Sequence, residues 1–211
     1  MRIGSSVVAG LLELLAPGRC PGCDGPSAGG AFCGACAPLI EPAERADPGT
    51  PAAAAFVYAG PLADAIVRLK YAGRTEHVPV LGALLASAAL GHAGRVDRVL
   101  PVPLHPSRLR ARGFNQSALL AAEVARVLGV PLDVRSLVRV RATPEQAGLA
   151  RQARSHNLDG AFAVRGPARA DRVLVIDDVR TTGATLAAAA AALTASGCSA
   201  VHTFALARAP G

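Results

Sequence analysis

The strongest constraint on this chain is residues 173–186, which read VLVIDDVRTTGATL. The apolar run of Val173, Leu174, Val175 and Ile176 has the length and β-branched content of a buried parallel strand. Two adjacent acids, Asp177 and Asp178, end that run. A polar turn of Thr181, Thr182, Gly183, Ala184 and Thr185 follows, and an alanine-rich stretch with strong helix propensity comes next. Strand, acidic edge, Gly/Thr turn and helix start in that order predict a phosphate site. Unpaired backbone N–H groups and the helix dipole converge where such a helix begins.

The remaining pattern alternates. A strand is expected at 54–58, helices at 61–70 and about 77–90, and a strand at 96–103 stopped by Pro101 and Pro103. A helix then runs to Leu128, strands follow at 136–141 and 160–164, a helix covers 187–195, and a strand at 201–207 is last. Strands and helices in alternation imply a mostly parallel sheet covered on both faces, an α/β architecture. Residues 143–157 carry neither helical nor strand periodicity, and a loop of that length inside a compact domain is commonly an active-site lid. Hydrophobic residues make up 51% of the 211 and charged residues 18%, which excludes a disordered chain. One main domain at 51–211 with a small appendage at 1–50 accommodates the pattern. Cys198 follows Gly197, matches no other motif, and reads as a buried small apolar residue.

The appendage has its own chemistry. Cys20, Cys23, Cys33 and Cys36 form two C-x2-C pairs with nine residues between them, with glycines supplying tight turns. Four thiolates so placed can surround one Zn²⁺ in a closed structural site. Two disulfides, or a redox pair, are the alternative, weakened by the lack of a secretion signal. Before them, Ile3, Val7, Val8, Leu11, Leu12 and Leu15 recur at helical spacing. That stretch is too short to span a bilayer and carries Glu13, so a short docking helix and a cytoplasmic protein are expected. Residues 41–51 read as a linker.

The formal charge of +7 favours anionic partners, either phosphorylated small molecules or nucleic acid. Aromatic residues at 3% and no Trp argue against a nucleic-acid surface of stacked rings. Three arginines, Arg108, Arg110 and Arg112, stand at alternate positions just past the strand at 96–103, on the edge where open α/β sheets bind ligands. They read either as a solvated face or as an anion site, with Gly113, Asn115 and Gln116 opening the next helix. His105, on the same loop, suits polar contact with phosphate better than general-base work. Lys70, the only lysine, reads as a solvated helix end, or as a pyrophosphate contact beside Arg74.

Two neighbouring carboxylates on a strand end pair naturally with a vicinal diol, and the Thr hydroxyls and turn amides with a phosphate. A phosphorylated ribose carries both. No G-x-x-x-x-G-K-[ST] pattern and no G-x-G-x-x-G fingerprint after a first strand occurs. An acidic pair after a strand also suits a metal site of a phosphatase or response regulator, but the Thr-Thr-Gly-Ala-Thr turn disfavours that reading.

VLVIDDVRTTGATL resembles the 5-phosphoribosyl-1-pyrophosphate (PRPP) motif of type I phosphoribosyltransferases. With the four cysteines, PVPLHPSRLRARGFNQ and TPEQAGLARQARSHNLDGAF, nearly the whole chain resembles the ComF family. The resemblance implies a type I phosphoribosyltransferase fold, a mostly parallel sheet flanked by helices, with an N-terminal zinc-binding segment. It implies that Asp177 and Asp178 take the ribose hydroxyls and that Thr181, Thr182, Gly183, Ala184 and Thr185 hold the 5-phosphate. His105, Arg108, Arg112 and Gly113 would form the pyrophosphate loop, and Gln146, Arg151, Arg154 and Asn157 would belong to a flexible closing loop. Arg180 is a candidate extra contact inside the motif. Mg²⁺ would travel with the pyrophosphate and ribose hydroxyls. The implied activity is phosphoribosyl transfer to an unidentified acceptor with pyrophosphate release. The setting associated with the family is DNA uptake in natural transformation, with single-stranded DNA and a helicase-like partner. A non-catalytic single-stranded-DNA-binding protein that keeps the fold is the other implied role.

Overall fold

The structure, a computed structural model, describes residues 18–43, 53–141, 160–166 and 171–209. The expected N-terminal helix, most of the linker and the closing loop with Gln146, Arg151, Arg154 and Asn157 lie outside the described residues. Strands β1 (Ala53–Val57), β2 (Arg98–Pro101), β3 (Leu137–Arg139), β4 (Phe162–Val164), β5 (Arg172–Arg180) and β6 (Ala200–Arg208) alternate with helices. The helices are α1 (Gly60–Ala72), α2 (Val78–Ala88), α3 (Pro106–Arg112), α4 (Gln116–Leu128) and α5 (Ala184–Ala195). Among the described residues no helix is long and apolar enough to cross a membrane.

The chain divides into two compact units. One comprises Met1–Glu41 with Ala59–Val80, the other Pro42–Tyr58 with Leu81–Gly211. In the first unit, α1 buries Leu62, Ala65, Ile66 and Leu69, the i, i+3, i+4, i+7 stripe of an amphipathic helix. Pro61 enters at its first turn, and Gly73 ends it in the left-handed conformation at φ 66.

The second unit is built on a parallel sheet in the order β1-β6-β5-β2. β5 is central, and its buried run of Val173, Leu174, Val175 and Ile176 agrees with the continuous apolar pattern of a strand covered on both faces. Helix α5 packs on β5 and β6, and Leu186, Ala189 and Leu193 join Val173, Val175 and Ala205 in one apolar cluster. Helix α4 packs on β2 and β5 with Leu120, Ala121, Val124 and Ala125 buried. Each fully buried leucine in these layers contributes about 2 kcal/mol.

Two details depart from the sequence pattern. β5 does not stop at Ile176 but continues to Arg180, because β6 is equally long and pairs Asp177 with Ala205, Val179 with Ala207 and Arg180 with Arg208. The two acids are therefore strand residues. β3 and β4 do not enter the parallel sheet but form a separate antiparallel ribbon, in which Arg139 lies over the ring of its register partner Phe162. Cys198 is only partly buried; its Sγ lies 3.6 Å from Asp171 Oδ1, and burial pushes the thiol up.

The topology places a switch point between β2 and β5. The chain leaving β2 passes through α4 and returns at Leu132, bridging Val99 in parallel on the side of β2 away from β5. The chain leaving β5 passes through α5 to β6 on the other side. Where successive crossovers run to opposite sides, a crevice opens beyond the carboxyl ends of the two strands.

The opposite, amino end of these strands is held by buried charge. Arg98, at the start of β2 and 6% exposed, pairs with Asp171 (Nε–Oδ2 2.6 Å) and with Asp133. Burial raises the Asp133 carboxyl, but hydrogen bonds from Ser136 and the Arg135 backbone and the charge of Arg98 outweigh it and bring it down to about 2. Its ordinary value is 3.8, so the unfolded chain takes up this proton at a higher pH than the native state does. The resulting stabilisation is complete above that unfolded value and is lost as pH falls toward about 2. Asp133→Asn should cost about 3 kcal/mol at neutral pH and flatten the acid limb of a urea-denaturation series run from neutral to about pH 2. A variant with wild-type stability and an unchanged acid limb would contradict the clamp.

Candidate functional site

The crevice between β2 and β5 is walled by three segments. The first is the carboxyl end of β5. Asp177 and Asp178 are 8% and 3% exposed, so each carboxylate needs hydrogen bonds to offset lost hydration. Asp177 Oδ1 accepts from Ser117 Oγ at 2.9 Å and from the Asp178 N–H at 3.0 Å. Asp178 Oδ1 accepts from the Val179 N–H at 2.7 Å. The acids are thereby fixed in orientation by the backbone that follows them.

The second segment joins β5 to α5. Thr181 is exposed, while Thr182, Gly183, Ala184 and Thr185 are half-buried. Thr182 Oγ1 accepts from the Ala184 N–H at 3.3 Å, and Gly183 caps the helix at φ 82, a conformation that favours glycine. The first-turn amides of a 12-residue helix point out of this turn.

The third segment runs from β2 into α4. The arginine run is not an irregular loop with the helix opening after it; it folds as α3. Pro106 stands at the first turn, His105 N-caps through its Nδ1 to the Ser107 N–H (3.3 Å), and Gly113 at φ 83 ends the helix. His105 Nδ1 also bonds the Ser107 hydroxyl at 2.8 Å. Helical geometry changes what alternate spacing means: Arg108 and Arg112, four apart, share a face and are half-buried, whereas Arg110 points elsewhere and is exposed. Arg112 Nη1 donates to Gln116 Oε1 at 2.6 Å. Asn115 caps α4 by accepting from the Ser117 N–H at 3.0 Å and donates to Val102 O at 3.0 Å.

Asn115 to Val102 and Ser117 to Asp177 thus tie the end of β2, the start of α4 and the end of β5 together. Ser117, which the sequence pattern leaves unmarked, holds the first acid in place. Its only signal was its place in the Asn-Gln-Ser opening of a helix that must return beside the acidic strand. Asp177, Asp178 and the Thr/Gly turn belong to one strand-to-helix connection, and α3 follows the neighbouring strand. Lys70 lies in the last turn of α1, in the other unit, where its charge complements the helix dipole.

The four cysteines are also brought together. Their sulfurs all lie within 4.8 Å of one another, and Cys23 Sγ to Cys33 Sγ is 3.8 Å. Zn–S bonds of about 2.3 Å in a tetrahedron require S···S separations of about 3.8 Å. All four thiols are free, so neither disulfide is present. Burial raises Cys20, but hydrogen bonds from the N–H groups of Cys23, Cys33 and Gly22 outweigh it and bring the thiol down to about 6. Burial, with the neighbouring sulfurs, pushes Cys36 up to about 12. A cluster that holds thiolate through backbone N–H groups could hold a metal such as zinc, with no position left open. Gly22 is obligatory in the first pair: a Cβ there would stand 2.6 Å from Pro61 Cβ and 3.1 Å from Cys36 Sγ. Arg68 of α1 donates to the carbonyls of Pro21 (2.7 Å) and Gly22, and Arg74 pairs with Asp24 at 2.8 Å.

The profile of the phosphoribosyl transferase domain family matches residues 115–211, the stretch holding Ser117, the acids and the Thr/Gly turn. DNA utilization protein YhgH of Escherichia coli (strain K12) is 38% identical over 157 residues, covering 72% of this chain and 69% of that protein. Its counterpart in Salmonella typhimurium (strain LT2) is 34% identical over 195 residues, covering 90% and 83%. Competence protein F of Haemophilus influenzae (strain Rd) is 36% identical over 118 residues, covering 54% and 51%. A parallel α/β sheet with a phosphoribosyl transferase match, a four-cysteine cluster ahead of it and relatives of this identity together establish that the chain belongs to the ComF family.

Proposed function

We propose that the chain binds PRPP in the crevice between β2 and β5 and transfers the phosphoribosyl group to an acceptor, releasing pyrophosphate, in the setting of DNA uptake. The observation that carries the reading is the buried pair Asp177 and Asp178, fixed by Ser117 and by following backbone amides, immediately before a Thr/Gly turn that starts a helix. The pair accepts the ribose 2- and 3-hydroxyls. Thr181 through Thr185 take the 5-phosphate on hydroxyls and helix amides. His105, Arg108, Arg112 and Gly113 take the pyrophosphate, and Gln146, Arg151, Arg154 and Asn157 close over it.

Transfer proceeds by departure of pyrophosphate from the anomeric carbon through a cationic ribosyl transition state. The arginines stabilise the negative charge gathering on the leaving group, and the closing loop excludes water. The acceptor set at the strand end is all oxygen, which suits Mg²⁺. When bound with the pyrophosphate and ribose hydroxyls, Mg²⁺ would neutralise leaving-group charge. The family profile and the DNA-related names of the relatives support fold and setting. Residues 1–50 are read as the zinc-binding appendage, its cysteines in one compact unit with Ala59–Val80, and 51–211 as the transferase-like domain, in a cytoplasmic protein. Those names and the arginines of α3 also favour a second reading, single-stranded-DNA binding beside a helicase-like partner without catalysis.

Isothermal titration with PRPP and Mg²⁺ should give saturable binding that Asp177→Asn with Asp178→Asn weakens at least about 10-fold. Absent binding, or binding unchanged in the double variant, would sink the proposal. Binding without pyrophosphate release across a panel of nucleobases, joined to strongly salt-dependent DNA affinity, favours the second reading.

Metal analysis of the purified protein should find one zinc per chain. Chelation, or Cys20→Ser, should lower thermal stability of the first unit, since structural zinc contributes its binding energy to folding. A metal-free protein carrying two disulfides would contradict the zinc assignment.

A further inference from the structure

Arg180 closes β5 and is the register partner of Arg208 in β6. Partners in parallel strands stand about 4.8 Å apart with side chains on one face of the sheet. Both are half-buried, so two arginines leave adjacent backbone positions at the carboxyl edge, and like charges directly opposite each other destabilise a sheet. The Nε of Arg180 is also buried with no hydrogen-bond partner among the described residues. Leaving a buried donor on a charged group without an acceptor is unfavourable. One anion accepting from Arg180 beside Arg208 removes both penalties.

The place of that anion follows from the turn. A Cβ built on Gly183 would stand 3.1 Å from Arg180 Nε, 3.7 Å from Nη2 and 3.8 Å from Cζ. The guanidinium therefore lies flat against the residue that caps α5, next to Thr182, whose hydroxyl accepts from the Ala184 N–H. An anion at the start of α5 meets helix amides on one side and a guanidinium fork on the other. Arg binds phosphate oxygens in pairs where a neutral residue offers none.

We propose that Arg180, with Arg208 beside it, is a specificity-determining residue that makes this site select a ribose carrying a 5-phosphomonoester. The proposal rests on reading Thr181 through Thr185 as the 5-phosphate turn. The shared chemistry is a dianionic phosphate on the ribose 5-carbon, whether the ligand is PRPP, ribose 5-phosphate or a nucleoside 5′-monophosphate. Arg180 acts on the phosphate and leaves the pyrophosphate contacts of α3 untouched.

The test is titration of the full chain with Mg²⁺ and, separately, ribose 5-phosphate, adenosine 5′-monophosphate, ribose and inorganic pyrophosphate. Arg180→Gln should weaken both 5-phosphates by about 10-fold to 100-fold, with ribose and pyrophosphate affinities unchanged. Arg180→Lys should recover part of the loss, and Arg208→Gln should give a smaller loss that shrinks as salt is added. A monophosphate alone responding to Arg180→Gln identifies which source the site prefers and supports the assignment. Undiminished 5-phosphate binding in Arg180→Gln overturns it. So does parallel loss of 5-phosphate and pyrophosphate with a lowered melting temperature in Arg180→Gln and Arg180→Lys alike, which marks a buttress of the turn. A wild-type chain that binds neither ribose 5-phosphate nor adenosine 5′-monophosphate overturns the reading of the turn itself.

Discussion

Two carboxylates at adjacent positions of a central, buried strand are the constraint on which the rest of this structure depends. Left bare, each would cost several kcal/mol in lost hydration. The chain satisfies them locally, with Asp177 accepting from Ser117 and from the next backbone amide, and Asp178 accepting from the Val179 amide. That solution requires α4 to begin beside the end of β5, which in turn requires Asn115 to cap α4 while holding the carbonyl of Val102 after β2. The acids, the helix start and the neighbouring strand are one connected assembly.

Charge is distributed along the sheet with a purpose that polarity alone does not reveal. At the amino ends, Arg98 is enclosed by Asp133 and Asp171, and Arg172 pairs with Asp97, so cation and anion are matched. At the carboxyl ends the acids are met by hydroxyl and amide groups, and Arg108 and Arg112 share one face of the helix that follows β2. Matched charge at one end contributes to stability. The carboxylates, amides and guanidiniums at the other end suit the proposed ligand, which carries both hydroxyls and phosphates.

Much of this was legible in the sequence. The run from Val173 to Ile176 declared a buried strand because a strand covered on both faces has no polar alternation, and the alternating order of elements declared a parallel sheet. The full length of β5 was not legible, since it is set by β6, whose partner residues lie 28 positions on in sequence and whose pairing no local pattern encodes. Helix α3 carried a proline start and a glycine stop, but its charge hid them, and only the helix reveals that Arg110 parts company with Arg108 and Arg112. Ser117 was invisible because a serine in a helix's first turn is ordinary until the strand beside it is known. The four-cysteine cluster was legible from spacing, whereas Arg68 reaching the carbonyls of Pro21 and Gly22 from α1 was not.

The carboxyl edge between β2 and β5 is the proposed ligand site of this ComF family chain. Backbone amide shifts followed by NMR during titration with ribose 5-phosphate and Mg²⁺ test it most directly. Saturable shifts should concentrate at Asp178, Val179, Thr181 through Thr185 and Ser117, with the amides around Cys20 to Cys36 unmoved. Shifts confined to the cysteine segment, or none at saturating ligand, would contradict it.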